Sequence, residues 1–369
     1  MKQVLAVALS GGVDSTVAAL LLREQWPAMV GATHYIWPNS RCCSLPIFKR
    51  AEYLTRLLSI PYFVLNLEEA FRARVVDDFV SSYLHGATPN PCVRCNEHIR
   101  FTLFYDELRA KLAAEKILSP DQELLFATGH YVRVARMEEG LFLKKGRDPE
   151  KDQSYMLYRL PKSVLGRLVF PLGDLLKDEV KAIARERNFS VAEEEESQDA
   201  CFVEGRYPDF IAGRTGRKAG NQPGKIVDRQ GRIRGEHRGF LHYTIGQRQG
   251  LGLSDGPWYV TGIISETNTV TVGRREELGR TRFRAGELNW FIPPPVRPVT
   301  VQVKIRYRST EVCGTVRPET DGTVGVELET PEAVTPGQSA VFYRDDLVLG
   351  GGIILRPDPP FSSSSARRR

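Results

Sequence analysis

No run of about 18 uninterrupted apolar residues occurs in this chain, so no helix is expected to span a membrane. No secretory leader is expected: the opening MKQVLAVALSGG is short, soon broken by glycine, and reads as a strand. The cytoplasm is the expected location. Cysteine is scarce, with six in 369 residues: Cys42, Cys43, Cys92, Cys95, Cys201 and Cys313. In a long chain of this kind they are not expected to form structural disulfides, which leaves nucleophilic, redox or metal-binding roles. Internal repeats are absent. So are two familiar nucleotide-loop patterns, G-x-x-x-x-G-K followed by Ser or Thr, and G-x-G-x-x-G after a strand.

What is present is ordinary globular composition, 41% apolar and 26% charged, at a length that calls for two or three domains. The net charge of +6 is compatible with a polyanionic partner, although part of it sits in the terminal Arg367-Arg368-Arg369. The most informative stretch is Ser10-Gly11-Gly12-Val13-Asp14-Ser15. An apolar run, Val4 to Leu9, precedes it and reads as a buried parallel strand; Thr16 to Leu22 follows as the first turns of a helix. Two glycines allow a sharp turn and close approach of a ligand. The serine hydroxyls and the unpaired N–H groups of the helix start favour an anion, so the unit reads as a phosphate cradle. Asp14 is the candidate metal or charge-organising residue. This run resembles the pyrophosphate loop of the ATP-pyrophosphatase superfamily. That resemblance implies adenylation of a carbonyl oxygen with release of pyrophosphate, usually assisted by Mg²⁺.

Strands and helices alternate through residue 135, with strands at Met29–Tyr35, Tyr62–Leu67 and Leu124–His130 and helices near 47–58, 69–84 and 97–115. A doubly wound parallel sheet is the expected α/β fold, with ligands at the carboxyl ends of its strands. SGGVDS, His34 and Thr128-Gly129-His130 all fall there, and the two histidines read as pocket lining. A helix is expected over Leu175–Asn188, with Asn188 as its stop. The acidic run Glu193–Glu196 reads as a solvated loop. Beyond residue 206, short alternating segments and turn pairs suggest β-barrels, and the proline cluster Ile292–Pro298 marks a boundary. The expected layout is an α/β catalytic domain over 1–205, a small, mostly β central domain over 206–290, a C-terminal β-barrel over 291–356 and a disordered tail over 357–369. Alternation along Val299–Arg308 predicts one strand face carrying Lys304, Arg306 and Arg308.

The second informative stretch is Thr88-Pro89-Asn90-Pro91-Cys92-Val93-Arg94-Cys95-Asn96. Cys95 is expected just ahead of a helix, where the positive helix end, Arg94 and Arg100 favour the thiolate a sulfur nucleophile needs. Vicinal Cys42 and Cys43 are poorly shaped to complete a tetrahedral zinc site with it. Cys201, in SQDACF, becomes interesting as a possible spatial partner of Cys95 in a thiol–persulfide pair.

Six motifs occur in order over residues 8–252: SGGVDS, TPNPCVRCN, ATGHY, KDQSYML, ESQDACF and GFLHYTIGQRQGLG. Together they resemble the bacterial tRNA-specific 2-thiouridylase (MnmA) family, with its PP-loop catalytic domain, small central domain and C-terminal β-barrel; the last 70 or so residues match in texture more than in motif. The resemblance implies that ATP is held by Ala8, Leu9, Ser10, Gly11, Gly12, Val13, Asp14 and Ser15, with His34 and Gly129 near the adenosine. It implies adenylation of the C2 oxygen of the wobble uridine of tRNA, then sulfur delivery from a persulfide on Cys201, with Cys95 attacking that persulfide. A Cys95–Cys201 disulfide would result. A cysteine desulfurase or sulfur-relay carrier would load the sulfur. Lys151, Asp152, Gln153, Arg306 and Tyr307 match tRNA-contacting positions. One departure is Cys92, where some members carry Asp. With Cys92, Cys95 and Cys201 all present, the alternative is a three-thiolate 4Fe-4S cluster using sulfide. A different tRNA-modifying or amide-forming synthetase of the superfamily is the remaining reading.

Overall fold

After Gln3, every residue of the first strand is apolar because both of its faces are covered. In the computed structural model, which describes residues 3–38, 40, 44–189, 200–216 and 220–357, β1 (Gln3–Ala8) leads through α1 (Val13–Gln25) to β2 (Met29–Tyr35). After α2 (Leu45–Leu57) and β3 (Tyr62–Asn66) the chain runs through α3 (Glu68–Phe71), π-helical Arg72–Val76 and α4 (Asp77–Leu84). A second such run, α5 (Pro91–Cys95), π-helical Asn96–Leu103 and α6 (Phe104–Ala114), precedes β4 (Glu123–Ala127). Val4 and Ala6 pack with Phe71, Val75, Phe79, Phe104 and Leu108 of those two runs. Leu5 and Val7, pointing the other way, pack with Ala19 and Leu22 of α1 and Ala51 and Leu54 of α2. That division makes the sheet doubly wound.

The hairpin β5 (Val132–Met137) and β6 (Gly140–Lys145) follows, then α7 (Ser154–Leu157), β7 (Leu168–Val169) and α8 (Lys177–Glu186). The five parallel strands lie in the order β3-β2-β1-β4-β7. Connections leave β1 toward β2 on one side, while β4 lies on the other. The carboxyl ends of β1 and β4 therefore flank the switch point where such sheets bind ligands. Asn188, expected as the stop of α8, has φ 57°, the left-handed conformation of a helix terminator.

A helix, α9 (Tyr207–Thr215), begins the next region, which was expected to be mostly β. Its start carries Pro208 in the first turn and its end Gly216 at φ 79°. Strands β8 (Gly224–Val227), β9 (Ile233–His237), β10 (Tyr259–Ile264) and β11 (Thr269–Gly273) form a sheet ordered β10-β11-β8-β9.

The barrel comprises β12 (Arg280–Trp290), β13 (Val299–Lys304), β14 (Val312–Pro318), β15 (Val324–Glu332), β16 (Ser339–Arg344) and β17 (Leu347–Ile354). Pairing of β12 with both β15 and β17 closes it. The proline cluster therefore does not separate the barrel from what precedes it: β12, on its N-terminal side, is a barrel strand. A second expectation also fails. β13 ends at Lys304, and Arg306 opens a turn, with Ser309 donating to the Arg306 carbonyl oxygen at 3.2 Å. Arg306 and Arg308 hence do not share a strand face with Lys304; the Ser309 hydroxyl, accepting from the Arg306 N–H at 3.2 Å, holds the turn. The acidic run 193–196, Cys42, Cys43 and residues 358–369 lie outside the described residues.

Catalytic sheet and barrel are joined by buried polar contacts. The Tyr155 hydroxyl donates to the Ser339 carbonyl oxygen at 3.0 Å, and Asn289 Nδ2 donates to the carbonyl oxygens of Tyr158 (2.6 Å) and Leu160 (3.0 Å). The hairpin β5–β6 extends the barrel sheet beside β17. Removing the buried Tyr155 hydroxyl in Tyr155→Phe should cost about 1 kcal/mol. A denaturant midpoint below that of the wild type checks it.

Candidate active site

Gly12 caps α1 in extended conformation and offers no side chain, so the N–H groups of the first turn have no side-chain acceptor at their cap. Gly11 sits at φ 70°, and a Cβ there would meet the Ile47 backbone at 3.1 Å. Ser10 is exposed, whereas Ser15 is buried and knots the loop: its hydroxyl donates to the Gly12 carbonyl oxygen at 3.0 Å and accepts from the Ser10 N–H at 3.2 Å. Of the two hydroxyls expected as phosphate donors, that of Ser15 is used to shape the cradle. Gly129 closes the other side. A Cβ on it would lie 2.7 Å from the Asp14 carbonyl carbon and 2.8 Å from the Ser15 nitrogen, so no side chain fits.

Asp14 is held from two directions. Lys177, the first residue of α8, places Nζ 2.7 and 2.8 Å from its two carboxylate oxygens, and the Tyr131 hydroxyl donates to Oδ1 at 2.7 Å. Sequence reasoning missed Lys177, which is separated from Asp14 by 163 residues. The only signal was its place at the head of an expected helix. Asp148, buried, accepts the Lys177 N–H at 2.8 Å and the Lys151 N–H at 3.3 Å, fixing α8 beside the Lys151 loop.

From the end of β4 a polar chain runs to the cysteine-bearing helix. Arg100 Nη1 contacts His130 Nε2 at 3.3 Å and donates to Asn96 Oδ1 at 3.2 Å. An arginine only donates, so Nε2 is the acceptor and Nδ1 carries the proton shared with Thr128 Oγ1 at 2.7 Å. Burial, and then the Arg100 charge, hold His130 well below the usual histidine range. His34, at the end of β2 against the Phe104 ring, is lowered to about 3, again by burial first and Arg100 second. Both are neutral and can line a pocket without adding charge.

The thiols stand differently from the expectation. Helix α5 begins at Pro91 with Asn90 as its cap, accepting the Cys92 N–H at 3.1 Å. Cys92, exposed, therefore occupies the first turn, while Cys95 is buried at the helix's last residue. Pro91 stands in the first turn, where a proline needs no N–H partner. Arg94, expected to favour the Cys95 thiolate, binds Glu287 at 2.6 Å and Asp78 and Glu97 at 3.4 Å. Cys201 is half-buried between buried Ala200 and Phe202, whose ring packs among Phe71, Phe79 and Phe210. Cys95 and Cys201 border the same apolar core. Among the described residues no three Cys, His, Asp or Glu side chains form a metal-holding group.

Of the residues matched to RNA contact, Asp152 is buried and spends Oδ1 on the Gly146 and Ser154 N–H groups and Oδ2 on the Ser154 hydroxyl. Gln153 pins Tyr131 through its Oε1, 3.0 Å from the Tyr131 nitrogen. Arg306 donates to the Ala333 carbonyl oxygen (2.9 Å) and Thr335 Oγ1 (2.6 Å), and Tyr307 lies half-buried with its ring 6.1 Å from that of Tyr155.

A glycine loop and helix start at the switch point of a parallel sheet define a nucleotide-binding α/β domain of the ATP-pyrophosphatase kind. Family models match the chain in three consecutive blocks. These are a tRNA methyl transferase HUP domain over 3–205, a tRNA methyl transferase PRC-barrel domain over 209–274 and an aminomethyltransferase β-barrel domain over 280–354. The tRNA-specific 2-thiouridylase MnmA of Acidithiobacillus ferrooxidans is 44% identical over 352 residues, covering 94% of this chain and 97% of that one. Those of Geobacter metallireducens and Moorella thermoacetica are each 42% identical over 365 residues, covering 95% and 94% of this chain and 96% and 98% of theirs. The chain belongs to the tRNA-specific 2-thiouridylase (MnmA) family.

Below about pH 6.5 the unfolded chain protonates histidines that the folded protein keeps neutral. Their contribution to stability is complete above that value and is lost as pH falls toward 3, where His34 titrates in the folded state. His34→Phe removes one such group. Unfolding midpoints followed from about pH 7 to 4 should fall less steeply in the variant than in the wild type.

Proposed function

We propose that this enzyme thiolates C2 of the wobble uridine of tRNA at the expense of ATP. One observation carries the reading: the loop that closes on Asp14 through Gly129 and the helix that bears Cys92 and Cys95 meet at the same strand end, joined by Thr128, His130, Arg100 and Asn96. ATP would bind over residues 8–15, with His34 and Gly129 toward the adenosine. The C2 oxygen attacks the α-phosphate, pyrophosphate leaves, and the uridine becomes activated for displacement. Asp14 is the carboxylate of the loop that would hold Mg²⁺, which spreads the charge of the pyrophosphate when bound. Lys177, already on Asp14, adds a cation at the same place.

Sulfur then reaches C2 from a persulfide on Cys201, and AMP leaves with the former C2 oxygen. Cys95 attacks the inner sulfur, releasing the outer one to the base and leaving a Cys95–Cys201 disulfide. An external dithiol supplies the two electrons that reset the pair. A cysteine desulfurase or sulfur-relay carrier fits the need for a loaded persulfide, and the cytoplasm is the proposed location. The uridine must leave its stack to reach the thiols. For RNA contact, the proposal rests on Lys151, Arg306 and Tyr307, while Asp152 and Gln153 shape the loop that presents Lys151. Methyl transfer, which the family descriptions name, needs neither a pyrophosphate loop nor paired thiols.

Purified protein with ATP, tRNA and a sulfur source should form 2-thiouridine. Asp14→Ala should abolish AMP formation and leave tRNA binding near the wild-type level; unchanged AMP release would remove this loop from the reaction.

The thiols are tested separately. Cys95→Ser and Cys201→Ser should retain AMP formation and lose sustained thiolation. Cys92→Asp should keep most activity under the persulfide scheme; loss of activity together with loss of an oxygen-sensitive brown colour would favour the cluster scheme instead.

A further inference from the structure

One barrel residue reaches into the cysteine helix. Glu287 lies in β12 where the pairing with β17 slips between Gly286 and Asn289, and its φ is 48°. Glycine would occupy such a position without strain, whereas a residue that carries a Cβ is strained there. The side chain of Glu287 has a use that offsets this. Its carboxylate lies 2.6 Å from Arg94 Nη2 and 3.5 Å from Arg159 Nη2, and its carbonyl oxygen accepts from Arg159 Nη1 at 2.5 Å. Arg159 in turn grips Glu97 through two bonds, Nε at 2.6 Å and Nη2 at 2.8 Å. Arg94 and Glu97 flank Cys95 in sequence, and both arginines and Glu97 are largely buried at the contact, 13%, 10% and 16% exposed.

We propose that Glu287 is a positioning residue for sulfur transfer: from the barrel it locks the Arg94–Glu97–Arg159 cluster and so sets the helix that carries Cys92 and Cys95. The nucleotide loop depends on none of these side chains. Its partners are Gly129, Tyr131 and Lys177. Loss of Glu287 therefore separates the two half-reactions. Adenylation proceeds, while the thiols meet the activated base less often and more of it is lost to water. The barrel thereby does more than hold RNA: it sets the yield of thiolation per ATP.

This rests on the thiolation reading, and the experiment keeps the two apart. Glu287→Gln and Arg94→Gln break the contact from its two sides; Glu287→Asp retains the charge. Two quantities are read in the full-length enzyme: 2-thiouridine formed per AMP, and the rate at which iodoacetamide alkylates Cys95, resolved from Cys92 by peptide mass. In Glu287→Gln and Arg94→Gln, AMP formation should stay within about twofold, thiouridine per AMP should fall about tenfold and Cys95 alkylation should rise several-fold. Glu287→Asp should recover part of the coupling. Glu327→Gln, which breaks an exposed pair with Arg282 on the same barrel, should change neither quantity. Unchanged coupling and alkylation in both variants would overturn the proposal, as would AMP formation falling in parallel with thiolation. If the wild type forms no 2-thiouridine, the thiolation reading fails, and the Cys95 alkylation rates alone then decide the clamp. Should Arg94→Gln not fold, Glu287→Gln, at the half-exposed side, carries the test.

Discussion

The structure depends on how closely two backbones approach where β1 and β4 end. These strands run side by side in register from Gln3 with Glu123 to Val7 with Ala127, and just past that point they part. Gly129 then lies against the carbonyl of Asp14 and the nitrogen of Ser15, at a separation that no Cβ tolerates. That contact fixes the pitch of α1, and with it the direction of its exposed N–H groups. It also aims the Asp14 carboxylate outward, to where Lys177 and Tyr131 reach it. The same strand end supplies Thr128 and His130 to the chain that leads to Asn96, beside Cys95.

Charge is distributed along this arrangement in a way that suits its parts. Around the nucleotide loop the carboxylate is already neutralised by an ammonium, and the two pocket histidines are kept uncharged by burial and by Arg100. A triphosphate bound as proposed would therefore meet helix dipole and lysine, with no histidine whose proton would come and go near neutral pH. Around the thiols the arginines are matched with Glu97, Glu287 and Asp78. Burial works to raise the Glu97 carboxyl, but the hydrogen bonds and charge of Arg159, with His98 and Arg94, hold it below the usual range. Of the two arginines expected beside Cys95, Arg94 is thus matched by carboxylates, while Arg100 is spent on neutral Asn96 and His130.

The sequence carried the sheet well because its signals are local. β2 spans Met29–Tyr35 as alternation and burial require, and Asn188 stops α8 by adopting the one backbone region that ends helices. Signals failed where a residue's role depends on distant chain. Cys95 was expected just ahead of a helix, yet Asn90 caps a helix that already begins at Pro91, and this puts Cys92, rather than Cys95, at the helix start. Arg306 continues an alternating pattern, yet Ser309 turns the chain there and the guanidinium goes to Ala333 and Thr335. Lys177 and Glu287 have no motif at all. Each is defined by its partner across the fold.

The barrel's connections explain why a three-part chain can act as one enzyme. Its sheet takes in the hairpin β5–β6 from the catalytic region, and Arg133, on β5, binds Asp346 in the turn between β16 and β17 at 3.1 Å. Tyr155 and Ser154 of α7, which follow directly on the Lys151 loop, reach Ser339 and Tyr343 of β16. Lys145 bonds Glu311, near the Arg306 turn, at 2.6 Å. RNA contacts on the Lys151 loop and on Tyr307, where the proposal puts them, would therefore lie on elements tied together by buried hydrogen bonds, which resist independent motion. A tRNA seated there as proposed would have its distance to the thiols set by the same contacts that set the helix.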